Sequence, residues 1–255
     1  GPNARTQLKT ADKEDGVASD FIDQGIEYAM LARGTAGTAK FWLDNSTLLA
    51  DLLCEAAPSP RFAEALAILG ETVDILTEAS RGVQAGKALL DTAIALVRRH
   101  EGRVHLAAAL TADSGSPDPA RLDAALAAFD DAVVLLKALG GAHALLAHTL
   151  VEYAQVLQLK SGTSLGQFEA VGKVLEEAEA QAAAWYAAVS VQASGPLAVR
   201  VSLPAARALA ELKLALGKTL VSIVGLRPSP EDAYADFPTV VAKYLLETME
   251  LETPE

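Results

Sequence analysis

Asp118-Pro-Ala-Arg-Leu-Asp-Ala-Ala-Leu-Ala-Ala-Phe-Asp-Asp-Ala-Val-Val-Leu135 carries the clearest structural signal in the chain. It opens with a side chain that caps orphaned backbone N–H groups, followed by a proline whose missing donor costs nothing at the first helical position. Leu122, Ala125, Phe129 and Ala132 then recur at helical spacing in a large–small–large–small order. Two other segments overlay on it: Phe62, Ala65, Leu69 and Thr72, and Phe168, Val171, Leu175 and Ala178. Small residues admit a neighbouring helix closely, and large ones fill the groove beside it. Leu69, Phe129 and Leu175 are therefore expected at equivalent buried positions.

The same punctuation recurs outward from this stretch. Ser59-Pro60 and Ser229-Pro230 repeat the cap-then-proline start, Ser164 with Gln167 forms a capping box, and Ser202 with Pro204 marks a fifth start. Upstream, an amphipathic helix is expected from about Val17 to Ala32, closed by a Gly/Thr turn at Gly34–Thr38. A second follows through Phe41, Trp42, Leu48, Leu49, Leu52 and Leu53. Apolar helices at Leu48–Ala56, Val104–Leu110 and Leu150–Leu159 precede the three overlaid segments. No segment alternates with period two, so no strand is expected. The composition agrees: 51 Ala and 38 Leu stand against 11 Pro and 5% aromatics in 255 residues. Ala and Leu lead the helix propensities and are indifferent strand formers.

The expectation is an all-α chain of eight to ten helices in stacked antiparallel hairpins, with a polar tail at residues 1–16 and one domain over 17–250. Gly1-Pro2 reads as a protease-cleavage scar. This arrangement resembles a degenerate tetratricopeptide repeat array, with offsets of 60 and 46 residues between overlaid segments in place of the usual 34 or so. An Ala/Leu bundle whose likeness to repeats is accidental is the alternative.

Charge narrows the partners. The chain holds 21 basic and 33 acidic residues, for a net −12, which argues against direct nucleic-acid binding. The uncharged run Ala180–Val199 has the length of a bilayer span, but it contains Gln181, Ser190, Gln192, Ser194 and Gly195-Pro196 and is rich in Ala. No membrane association is expected. With one cysteine, Cys54, no internal disulfide is possible and no leader is evident, so an intracellular location is expected.

Near-motifs for chemistry fail where their geometry matters. A helical zinc site needs histidines four apart, about 40° from alignment, whereas residues five apart lie about 140° out of line. His100 and His105 are five apart, as are His143 and His148. His148 and Glu152 share a helical face, but two ligands make no site. Gly217-Lys218-Thr219 ends like a phosphate loop, yet Leu212 stands where that loop requires glycine. Gly34–Gly37 is a turn, and Cys54 reads as a small core residue. No enzyme, metal or cofactor is expected.

Against this background Arg98, Arg99 and Arg103, with His100 and His105, form a basic knot. One reading puts them in a helix's last turn, where cations complement the dipole; the other gives them an acidic or phosphate-bearing partner. Arg98, Arg99, Arg103 and His105 are accordingly candidate partner-binding residues, together with Glu152 and Gln155, the polar side chains on an expected groove-lining helix. The Lys/Asn/Arg pattern by which some tetratricopeptide domains hold a C-terminal carboxylate has no counterpart on these helices.

Four segments resemble the fungal enhancer-of-translation-termination family, also described as negative regulators of a 2-oxoglutarate-dependent prolyl dioxygenase. They are Val17-Ala-Ser-Asp-Phe-Ile-Asp-Gln-Gly-Ile-Glu27, Val73-Asp-Ile-Leu76, Leu146-Ala-His-Thr-Leu-Val-Glu152 and Ala210-Glu-Leu-Lys-Leu-Ala-Leu-Gly217. The resemblance implies a non-enzymatic, nuclear or cytoplasmic adaptor whose partner is a prolyl dioxygenase or a basic ribosomal protein. A generic repeat scaffold with unrelated partners, or a helical bundle that binds a small ligand, would serve the same sequence features.

Overall fold

The computed structural model describes residues 22–34, 39–56, 59–82, 85–111, 116–161, 165–192, 204–213, 215–216 and 219. All of its regular structure is helical. In chain order, α1 covers residues 22–34, α2 Ala39–Cys54, α3 Phe62–Gly82, α4 Lys87–Leu110, α5 Pro119–Leu139, α6 His143–Ser161 and α7 Leu165–Gln192. Helical residues 204–213, with 215–216 and 219, make up α8. The protein is all-α, as expected. The polar tail, the start at Ser229-Pro230, Ser164, Ser202 and most of the run after Gln192 lie outside the described residues. Among the described residues no helix is long and apolar enough to cross a membrane.

The chain divides into two compact units, residues 1–121 and 122–255. In the first, neighbouring helices run antiparallel. A Cβ added at Gly25 of α1 would meet Leu52 of α2 at 3.4 Å, while Arg33 near the other end of α1 donates to Ser46 Oγ at 2.9 Å. Arg33 also pairs with Glu71 of α3 at 2.6 Å and lies over the Trp42 ring, 5.2 Å from its centroid. One guanidinium thus ties three helices together, its planar fork and flat face used at once. Ser80 of α3 reaches Asp91 of α4 at 3.3 Å. In the second unit His143, the first residue of α6, meets Gln181 late in α7 at 2.7 Å. Lys137 of α5 pairs with Glu177 of α7 at 2.7 Å, and Lys160 of α6 pairs with Asp123 of α5.

The overlaid positions carry the core. Ala65, Leu69 and Thr72, then Ala125, Phe129 and Ala132, then Val171, Leu175 and Ala178 are all buried. Thr72 takes a position held elsewhere by alanine because its hydroxyl is satisfied locally, donating to Ile68 O at 2.7 Å. Thr149 does the same toward Leu145 O at 2.7 Å, so neither buried hydroxyl lacks an acceptor.

Helix starts match the sequence signals unequally. Asp118 accepts from Ala120 N at 2.9 Å, with Pro119 opening α5. Replacing Asp118 by Ala is expected to cost about 1 kcal/mol of stability, measured by urea unfolding; no loss would mean the carboxylate does not cap. Ser59-Pro60, in contrast, does not open α3. The Arg61 carbonyl accepts the first bonds, from Glu64 N and Ala65 N, each 3.1 Å, so Pro60 lies outside the helix. The Arg61 side chain also pairs with Glu64, and the first turn starts two residues later than the proline suggests. At the far end of α5, Gly140 and Gly141 adopt φ of 58° and 82°, a left-handed pair that L side chains resist.

Candidate functional site

The basic knot belongs to the middle of α4. This 24-residue helix continues to Leu110 and has no basic residue in its last turn, which overturns the helix-terminus reading, since the dipole acts within the final turn. Arg98 donates to Glu101 Oε2 at 2.7 Å, and the Glu101 side chain is only 9% exposed. His100 turns toward α2, its Nδ1 3.6 Å from Asp51 Oδ1, just beyond hydrogen-bonding length. Burial raises the Asp51 pKa, but His100 and the Arg103 charge outweigh it and hold the carboxyl below its usual value. Part of the knot's positive charge is therefore matched within the α2–α4 pair. Arg103 is exposed, and Arg98 and Arg99 are half-buried.

Cys54 sits beside this pair. Burial, followed by the charges of Asp51 and Glu55, pushes its thiol up to about 11 against the partial opposition of Arg103. The thiolate is the nucleophile, so at neutral pH Cys54 is protonated and inert. Labelling by a thiol reagent is expected to rise with pH until about 11; full reactivity at pH 7 would contradict this environment. His105 is half-buried, its Nδ1 without a hydrogen-bond partner. Burial, then the Arg121 charge, holds its pKa below the ordinary imidazole value. Among the described residues no three or more His, Cys, Asp or Glu side chains are grouped to hold a metal.

Glu152 and Gln155 lie in the second unit, on α6. Gln155 is exposed and Glu152 half-buried. Nearby, His148 sets its ring edge against Trp185 of α7, with centroids 5.9 Å apart. Gln155 lines a cleft of about 230 Å³ with Val151, Ala154 and Gln158 of α6, Val171 and Leu175 of α7, and Ala215 and Thr219 of α8. Its floor is apolar: Ala154, Val171 and Leu175 are buried. Thr219 adds no unsatisfied hydroxyl, because it donates to Ala215 O at 3.0 Å. The structure therefore places Gln155 at a concave feature, and it keeps the arginines and His105 together on α4 of the other unit. Sequence reasoning missed Gln158 as a second polar side chain of the cleft. The available signal was its spacing, three residues from Gln155 on the same helical face.

No family model and no curated protein matches this chain. Among solved structures, a chain from a structure titled "Computational Design of Self-Assembling Cyclic Protein Homooligomers" aligns over 96% of this chain and 98% of its own, at 12% identity and a TM-score of 0.38. Likeness at that level establishes neither ancestry nor function.

Proposed function

We propose that this chain is a protein-binding adaptor, and that the cleft between α6, α7 and α8 receives an apolar side chain of its partner. The cleft itself carries the reading. Its volume of about 230 Å³ falls below the roughly 300–1,000 Å³ of small-molecule sites, which counts against a small-molecule ligand in this cleft. It suits one large anchoring side chain, the kind of contact that dominates protein interfaces. Gln155 and Gln158 supply amide donors and acceptors beside an apolar floor, enough to meet the backbone polar groups on either side of such an anchor.

The net charge of −12 favours a basic partner and speeds its association at low salt. The sequence resemblance makes a prolyl dioxygenase, or the basic ribosomal protein on which such an enzyme acts, the first candidates, with action in the nucleus or cytoplasm. A scaffold with unrelated partners is the second reading. Titration calorimetry with these two candidates, at low and at physiological ionic strength, tests the proposal. Wild type should bind one of them, Gln155→Ala/Gln158→Ala should bind about tenfold more weakly, and Arg98/Arg99/Arg103→Ala should respond differently to salt. Equal binding by all three proteins at both salts would discard both the cleft and the electrostatic account.

A further inference from the structure

Among the described residues two buried side-chain polar atoms lack a hydrogen-bond partner, and both are imidazole nitrogens of α4: His100 Nδ1 and His105 Nδ1. Five residues apart, the two rings lie about 140° apart around the helix and meet different surroundings. His100 has a receiver for an added proton, since the Asp51 carboxylate of α2 stands 3.6 Å from its Nδ1. His105 has none. Among the described residues the one charge that acts on it is the Arg121 cation. On its own helix Glu101 lies one turn back, and Arg98 already holds that carboxylate at 2.7 Å.

His105 also sits where α4 hands on to α5. Ala109, one turn further along the same face, is fully buried, and its carbonyl accepts from Asp118 N at 3.1 Å. Asp118 in turn caps α5 through Ala120 N, and Arg121 follows in the first turn. The face of α4 that carries His105 therefore seats the start of α5. A neutral imidazole holds a proton on one nitrogen only, so Nδ1 can stay a bare acceptor. The imidazolium carries an N–H on both. At Nδ1 of His105 that donor would be buried without an acceptor and near a second cation, which is unfavourable. We propose that the seat between α4 and residues 116–121 is an acid-sensitive joint: protonation of His105 loosens it, while the contact of His100 with α2 stays closed. Burial first, then the Arg121 charge, holds His105 below the ordinary imidazole value, so the folded chain takes up this proton less readily than the unfolded one. The joint is accordingly held in full above about pH 6.5 and weakens as pH falls below that. No residue lining the α6–α8 cleft is titratable, so the joint stands apart from the function proposed for that cleft.

Amide hydrogen exchange on the full chain, corrected for its intrinsic pH dependence, reads the joint directly. Between about pH 7.5 and about pH 5.5, amides of residues 106–111 and 116–121 should lose protection while those of α2 keep theirs. His105→Gln cannot take up the proton and should show no such loss. Arg121→Gln removes the neighbouring cation and should shrink the loss, whereas His100→Gln should leave it as in wild type. The His105 ring resonances give a reading that needs no variant: their titration midpoint should lie below about 6.5. Protection unchanged by acid in wild type would overturn the proposal, and so would an equal loss in His105→Gln. A loss spread evenly over α2, α3 and α4 would also overturn it, because the first unit would then be opening as a whole.

Discussion

Truncation of Phe129 to Ala is expected to destabilise the protein by about 3–5 kcal/mol. The ring is fully buried at the third position of the row Leu122, Ala125, Phe129 and Ala132. Every member of that row is buried, two of them as alanines. The neighbours are already the smallest side chains that pack, so they cannot extend to refill the space. The loss therefore includes a cavity as well as lost burial of the ring. Urea unfolding followed by helical circular dichroism measures it. Leu69→Ala and Leu175→Ala, at the equivalent positions, should each cost about 2–5 kcal/mol. A loss below about 1 kcal/mol at Phe129 would mean that the site is not closed around the ring.

The second large effect is expected at Lys213. Its ammonium lies 2.8 Å from Glu179 Oε1, with the two side chains 11% and 19% exposed. An ion pair this far from water is held at a desolvation cost that the partner offsets. Lys213→Ala removes the cation and the stem and leaves Glu179 in a half-dry site, for an expected loss of about 3 kcal/mol. Lys213→Met/Glu179→Leu removes both charges and keeps apolar volume, and it should fall within about 1 kcal/mol of wild type or above it. Both values come from the same urea titrations, repeated at high salt, which should change them little because buried pairs are poorly screened. If Lys213→Ala costs only about 0.5 kcal/mol and salt abolishes the difference, the pair behaves as a surface bridge.

The sequence was most informative where local chemistry decides the structure. Asp118-Pro119 opens α5 because the cap and the proline act within one turn. The overlaid rows are buried except at Phe62 and Phe168, which open two of them and stay half-buried; helical spacing alone groups the rest on one face. Pro60 misled because the Arg61 carbonyl and the Arg61–Glu64 pair begin α3 beyond it. The basic knot misled for a related reason. Its charges interrupt the apolar pattern and suggest a helix end, yet Arg98 pairs within α4 and His100 faces Asp51, a residue far away in sequence. Gln155 was named for its polarity, but the cleft beside it needs α7 and α8, whose approach no spacing along α6 encodes. Phe41 and Leu48 share the expected second helix with Leu49 and Leu53, and only packing separates the exposed pair from the buried one.

The glycine pair after α5 also bears on how the chain reverses there. Gly140 and Gly141 bring α5 and α6 into succession across only three residues, so the chain entropy lost in closing that turn is small. Left-handed backbone at both positions costs glycine little, so the reversal needs no distant contact to hold it. Contacts between helices adjacent in the chain form early, on the microsecond-to-millisecond scale of locally connected helical proteins. The reversal after α5 is thus fixed by its own backbone, and an alanine at Gly140 or Gly141 would strain it.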